Sequence, residues 1–345
     1  MLLSLTDLSL ILRVPAAAVC HFAVALRNWL YDRHLLRSSI VAVPTVCVGN
    51  LAVGGTGKTP VIEWLVRTLS PSYRIAVLSR GYKRRTTGFV LADSSSTALT
   101  IGDECMQLHS KFPALPVAVC KDRLKGIRLL LKACPDVQVV LLDDAFQHRR
   151  LQCGFNILLT VADRLYVDDH MLPWGTLRDT KWQSHRADTV IVTKCPEGMK
   201  PIDKRLIDKS LNLAPWQSLF FSSTHYDPLP EAVQALPAGA DVMLVAGIAR
   251  PGYLVARLKS RFPDLRLFAF PDHHRFSRAD IRRLEKQAET AQAVFTTEKD
   301  RARISSGMFS ESFMDKLVVV SLSVDIDNSQ ALEQQLHKYI SSCPS

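Results

Sequence analysis

The sequence predicts an α/β protein: a P-loop NTPase-like, doubly wound, mainly parallel sheet, with a second, smaller α/β domain after it and an N-terminal interfacial helix before it. Three observations predict this. A glycine-rich stretch closing in Gly-Lys-Thr follows a short apolar run. Short β-rich runs alternate with helical patterns from Val43 to Lys194, the spacing of βαβ units. A connection through Pro228, Pro230 and Pro237 then leads into another α/β set.

The chain opens on two apolar runs, Leu2 to Leu12 and Val14 to Leu26, broken by Arg13 and Pro15 and followed by Arg27-Asn28-Trp29-Leu30-Tyr31-Asp32-Arg33. Apolar bulk, Trp29 and Tyr31 at its boundary, and Arg27, Arg33 and Arg37 suit a segment lying in an anionic membrane surface. A helix packed on the domain core is the other reading. The n-region is not basic, which disfavours a cleavable signal peptide. Residues 1–36 are therefore assigned as a membrane-associated segment.

Residues 37–225 form the expected P-loop domain. Strands are placed at Thr45 to Val48, Ile75 to Ser79, Val117 to Cys120, Val137 to Leu142, Asn156 to Val161, Thr189 to Thr193 and Leu219 to Ser222, with helices at Pro60 to Leu69, Gly102 to Ser110 and Arg123 to Ala133. Residues 226–345 are assigned to a C-terminal α/β domain that closes over the site. Its strands are Val242 to Ala246, Leu265 to Ala269, Ala293 to Thr297 and Leu317 to Leu322, and its helices are Gly252 to Arg261 and Arg278 to Gln292.

Composition excludes several classes. With 47% hydrophobic and 22% charged residues the chain is neither disordered nor, lacking 18 consecutive apolar residues, an evident membrane-spanning protein. The eight cysteines form no C-x-x-C pair and read as reduced, mostly buried thiols. A net charge of +10 calls for an acidic partner, and charge alone does not choose between nucleic acid, anionic membrane and phosphorylated substrate.

The stretch Gly49 to Pro60 carries the most chemistry. Between a strand and a helix, the backbone of Gly54, Gly55, Thr56 and Gly57 cradles phosphates, Lys58 reaches the β and γ groups, and the Thr59 hydroxyl ligates Mg²⁺, so ATP and Mg²⁺ are expected. The first glycine of the generic pattern is replaced by Ala52. Val139-Val140-Leu141-Leu142-Asp143-Asp144 has the form of a Walker B strand, and Asp143 or Asp144 is expected to hold the metal directly or through water. Arg80 to Arg85 and Gln147 to Arg150 set basic side chains, Arg80 and His148 among them, after strands of the same sheet, as phosphate ligands or as a solvated face. Asp103 and Glu104 open a helix and read by themselves as cap residues, whereas Asp272-His273-His274 is a cap, a metal ligand pair or a satisfied loop.

In order and spacing these motifs resemble the tetraacyldisaccharide 4'-kinase family, over nearly the whole chain. The carrying stretches are Ala25 to Asn28 with Leu30 to Asp32, Val48 to Pro60, Leu78 to Tyr82, Gly102 to Glu104, Leu142 to His148, Leu172-Pro173 with Gly175 and Leu177-Arg178, Arg186 to Asp188 with Val192 to Pro196, Asp272 to His274, and Thr297 to Asp300. That family's P-loop also lacks the first generic glycine. The resemblance implies phosphorylation by ATP of the 4'-hydroxyl of tetraacyldisaccharide 1-phosphate, a lipid substrate, to form lipid IVA at the cytoplasmic face of the bacterial inner membrane, by a peripheral or monotopic enzyme. It further implies that Asp103 is the base and His273 its partner, and it adds Glu104 and Arg123 as site residues.

Two departures from the family pattern are mild: Arg301-Ala302-Arg303 stands where Ala-Val-Lys is common, and Asp179 where Glu usually follows Leu-Arg. The loop from Ala162 to His170 matches poorly. A kinase for another lipid or sugar, or a nucleotide-gated membrane switch, would share the nucleotide motifs. Nucleic acid is not expected as a partner, because no recognition motif is present, and no obligate protein partner is inferred. Thr193-Lys194-Cys195-Pro196 lacks the N-K-x-D form that holds guanine.

Overall fold

The computed structural model describes residues 5–248, 251–304 and 307–343, with side chains from residue 13 onward. Residues 1–4 of the expected membrane segment, and the side chains of its first apolar run, lie outside the described residues. The chain folds as two compact units, and neither is continuous in sequence. One takes residues 1–80, 115–224 and 324–345, the other 81–114 and 225–323. The linear partition at residue 225 misses this because the pairings that assign residues 81–114 are non-local: Lys111 pairs with Glu298 and Asp103 with Arg303.

The first unit opens with helix α1 (Leu5–Asp32), then β1 (Thr45–Asn50), α2 (Lys58–Leu69) and β2 (Ile75–Ser79). It continues with β3 (Val117–Val119), β4 (Val139–Asp143), β5 (Phe155–Val161), β6 (Thr189–Thr193) and β7 (Ser218–Tyr226). Across the nine-stranded sheet the order is Leu322–Ile326, β7, β6, β5, β1, β4, β2, β3 and the two-residue strand Val90–Leu91. The six pairings from β3 through β7 are parallel. Continuous apolar runs such as Val139 to Leu142 are what a parallel strand covered on both faces requires. β1 lies between β4 and β5, and the connections leave its two sides in opposite senses, so a crevice opens beyond its carboxyl end. α2 starts in that crevice and buries Val61, Ile62, Leu65, Val66 and Leu69 on one stripe.

The last turns of α1 are anchored within this unit. Asn28 Nδ2 donates to the fully buried Asp179 Oδ1 at 2.7 Å, Arg27 donates to the Gln147 carbonyl at 2.7 Å, and Tyr31 is buried. On its open side Val19, Phe22, Leu26 and Trp29 recur at helical spacing and stay exposed. The helix is thus packed at its end, as the core-packing reading expects, and uncovered along a stripe. No described helix is long and apolar enough to cross a membrane.

The second unit holds a four-stranded parallel sheet of β8 (Val242–Ala246), β9 (Arg266–Ala269), β10 (Ala293–Thr297) and β11 (Leu317–Val320), in the order β9, β8, β10, β11. Leu254, Leu258 and Phe262 pack on one side with Leu244 and Phe295, while Leu284, Phe309 and Phe313 pack with Met243, Val245 and Val294. The expected single strand Leu317 to Leu322 divides at Ser321, after which Leu322–Ile326 joins the edge of the other sheet. The expected helix to Gln292 stops at Ala288, where Thr290 Oγ1 bonds Asp241 at 2.8 Å and Gln292 N bonds the Asp241 carbonyl at 2.8 Å.

Candidate active site

Gly57 caps α2 in the left-handed region at φ 83°, where a side chain would be strained, and hands the chain to Lys58 at the first helical position. The loop before it is braced by β6: Thr193 Oγ1 donates to the Thr56 carbonyl at 2.9 Å, and Lys194 Nζ donates to the Gly55 carbonyl at 2.6 Å. Inside this brace the Thr56 hydroxyl is buried without a hydrogen-bond partner. An orphaned donor in a cradle of backbone amides at a helix N-terminus fits a phosphate oxygen. Thr59 follows in the first turn, half-buried.

Asp143 closes β4, with Ser79 Oγ donating to its Oδ2 at 2.9 Å. Asp144 takes the left-handed conformation at φ 51° and presents both oxygens to Arg178, one bond being 2.9 Å. Lys58 Nζ lies 3.6 Å from Asp144 and 3.2 Å from Asn50 Oδ1, and Arg178 bonds that same Asn50 oxygen at 2.6 Å. Burial works against the Asp144 charge, yet the Arg178 hydrogen bonds with the Lys58, Arg178 and Arg123 charges outweigh it and hold the carboxyl down at about 2. Asp144 is thus an anion across the physiological range, a donor set suited to Mg²⁺, which takes few protein oxygens alongside phosphates. Among the described residues no group of three His, Cys, Asp or Glu side chains could hold a metal unaided.

The basic residues divide by task. Arg123 is buried and gives its Nη atoms to the carbonyls of Cys120, Lys121, Asp143 and Asp144 at 3.1 to 3.3 Å. It clamps two strand-end loops together. Burial lowers its pKa, against the charges of Asp143 and Asp144. Arg80 is exposed just after β2. His148 is pushed down to about 4, by burial first and the Arg123 charge second, so it is neutral at pH 7 and offers no charge to a phosphate.

The second unit assembles its own cluster. Gly102, at φ 91°, turns the chain so closely past the Tyr82 carbonyl that a Cβ would sit 3.0 Å away, and Asp103 then begins the helix Asp103–Lys111. Asp103 Oδ2 accepts from His273 Nδ1 at 2.7 Å and from Arg303 Nε at 2.8 Å. His273 is itself left-handed at φ 62°, and its Nε2 lies 3.3 Å from Lys299 Nζ, so the carboxylate on one side and the ammonium on the other fix the Nδ1–H tautomer. Arg303 Nη1 also bonds Asp300 Oδ1 at 3.0 Å; Asp300, fully buried, accepts from Gly247 N and Thr297 Oγ1. Glu104 is half-buried one residue after Asp103. His274 bonds Asp280 at 3.0 Å and stacks on Phe270. Both histidines of the Asp-His-His run are therefore committed to carboxylates.

Sequence reasoning brought Asp103 and His273 together only through the resemblance, with His273 on a domain that had to close on Asp103. In the structure both belong to one unit and are already bonded. Arg303 entered the sequence reading only as a departure from a motif, and Arg178 and Asn50 only as members of quoted stretches. No spacing signal links residue 303 to residue 103.

The model of the family described as Tetraacyldisaccharide-1-P 4'-kinase matches residues 9–341. The chain belongs to that family. A tetraacyldisaccharide 4'-kinase of Bacteroides thetaiotaomicron is 43% identical over 94% of this chain and 91% of its own length. That of Flavobacterium johnsoniae is 43% identical over 84% and 86%. The crystal structure of LpxK from Aquifex aeolicus in complex with ATP superposes with a TM-score of 0.76 at 24% identity, covering 95% of this chain and 98% of that one, which establishes the shared fold.

Proposed function

We propose that the protein transfers the γ-phosphate of ATP to the 4'-hydroxyl of tetraacyldisaccharide 1-phosphate, forming lipid IVA in lipid A biosynthesis. Family membership supports the reaction, and the observation that carries the residue roles is the Asp103 carboxylate held on one oxygen by His273 and Arg303. Gly54 to Gly57, Lys58 and the Thr56 hydroxyl hold the phosphates. Thr59, Asp143 and Asp144 would hold Mg²⁺, which neutralises charge on the β- and γ-phosphate oxygens.

Asp103 accepts the proton of the sugar hydroxyl as the new O–P bond forms and the bond to the departing ADP breaks. His273 orients that carboxylate through its Nδ1–H, and Lys299 fixes the imidazole from the other side. A carboxylate is a weak base, but a loose phosphoryl-transfer transition state asks for little early proton removal, so position outweighs basicity. Arg123 acts behind the site as a clamp, while Arg80 and Glu104 are assigned to substrate contacts.

The exposed stripe of Val19, Phe22, Leu26 and Trp29 on α1, with Arg27, Arg33 and Arg37 nearby in sequence, supports a peripheral or monotopic position on an anionic membrane, at the cytoplasmic face where ATP is present. The test is transfer of ³²P from γ-labelled ATP to the tetraacyldisaccharide 1-phosphate in detergent micelles with Mg²⁺. Label in the lipid, lost in Asp103→Ala and His273→Ala, supports the reading. No label with ATP still bound rejects it.

A further inference from the structure

Of the five tryptophans in the chain, Trp29, Trp174, Trp182 and Trp216 stand exposed on the first unit, at 48%, 44%, 68% and 64%. They are not scattered. A cleft of about 610 Å³ is lined by His21, Ala25 and Trp29 of α1 and, from the other side, by His170, Met171 and Trp182. Trp174 stacks on His170 with ring centroids 3.8 Å apart, and Trp182 stacks on His185 at 4.1 Å, whose ring lies 6.5 Å from Trp216. The turn bearing Trp216 is tied down by Gln217 Nε2, which donates to the carbonyls of Ser184 and Ala187 at 2.8 Å each. One held aromatic face therefore runs from α1 through residues 170–185 to residue 216.

We propose that this whole face is the membrane contact, with the headgroup–acyl boundary of an anionic bilayer seating Trp174, Trp182 and Trp216 together with Trp29. The inference rests on the membrane position proposed above and extends it beyond α1. An indole has an apolar body and one N–H donor, the combination that favours the boundary of a bilayer over either water or hydrocarbon. Exposed aromatic side chains gathered in one region, instead of scattered singly, mark a contact surface. Cations beside it favour an anionic bilayer as occupant: Arg33 lies over the Trp29 ring at 5.8 Å, Lys181 lines the cleft with Trp182, and the chain carries +10 overall, set against Asp32 and Asp169 in the same lining. The held geometry means that little side-chain freedom is lost when the face meets lipid.

The test uses the full chain with a single tryptophan retained and the others changed to Phe, mixed with vesicles of phosphatidylethanolamine and phosphatidylglycerol brominated high on the acyl chain. Proteins keeping only Trp182 or only Trp216 are expected to be quenched, as is the one keeping only Trp29. The one keeping only Trp64, half-buried in α2, is the control and is expected to be unaffected. The double variant Trp182→Ser/Trp216→Ser is expected to partition onto unbrominated vesicles about tenfold more weakly at an unchanged melting temperature. Quenching of Trp29 without Trp182 or Trp216 would make α1 the sole anchor and overturn this inference while sparing the membrane position. Quenching of none would overturn both. Emission that follows protein concentration instead of vesicles would give the face to a second copy of the chain and also overturn it.

Discussion

Two aspartates, Asp144 in the first unit and Asp103 in the second, are each held by an arginine, but in different ways. Arg178 spans both oxygens of Asp144 and Lys58 adds a second cation, so that carboxylate is held among positive charges as an anion. Arg303 and His273 both address Oδ2 of Asp103, and among the described residues no hydrogen bond reaches its Oδ1. A bidentate arginine fixes a charge in place. A monodentate one orients the group and leaves an oxygen to react. The contrast separates a carboxylate that organises phosphate and metal from one positioned to take a proton.

Asp103→Ala should give the largest effect, a loss of turnover of roughly 10² to 10⁴ with ATP affinity retained, read by steady-state kinetics and nucleotide titration. Comparable loss of ATP binding would break the division of labour between the two aspartates. Next comes Arg303→Met, expected to lower kcat by roughly 10- to 100-fold, the worth of a charged hydrogen bond, with the KM for ATP unchanged. Arg303→Lys should restore part of it, an outcome a purely structural role would not produce.

Arg178→Met tests the other side of the contrast. Without its bidentate partner the Asp144 carboxyl should titrate roughly one to two units above its present value near 2 when followed by NMR. Because that pKa is depressed below 3.8, the ionised form contributes stability that is full above 3.8 and lost as pH falls through 2; in the variant the contribution shrinks and disappears at higher pH. An unmoved titration would mean that Lys58 and Arg123 suffice. The smallest effect belongs to His148, depressed from 6.5 to about 4. Its folded state stays neutral while the unfolded chain takes up a proton, so stability is full above 6.5 and declines as pH falls towards 4. Urea unfolding should lose about 1 kcal/mol between roughly pH 7 and pH 5.5, a slope that His148→Asn removes.

What the sequence disclosed follows from how local each signal is. Ile75–Ser79, Thr189–Thr193, Val242–Ala246 and Ala293–Thr297 were legible to the residue, because a strand buried on both faces is an uninterrupted apolar run bounded by polar residues. The P-loop was legible because its glycines and Lys58 are adjacent in sequence. The helix Ser329–Ser342 was not assigned, although Leu332, Leu336 and Ile340 recur at four-residue spacing along its buried side. Arg178 meeting Asp144 and Arg303 meeting Asp103 are products of tertiary closure, and nothing near either arginine in sequence announces its partner. The division into units was illegible for the same reason, since the composition of residues 81–114 does not reveal which unit they will join.

The path of the chain has a consequence for its synthesis. The backbone passes between the two units at residues 80/81, 114/115, 224/225 and 323/324. The helix that bears Asp103 leaves the ribosome well before β8, β10 and Arg303, which complete its surroundings. At ordinary elongation rates that delay is roughly ten to forty seconds. During it the whole middle of the first unit must emerge while an unfinished insert hangs from β2, so the second unit cannot be produced by cutting the chain at a single point, and a nascent protein arrested before residue 303 lacks the arginine that holds Asp103.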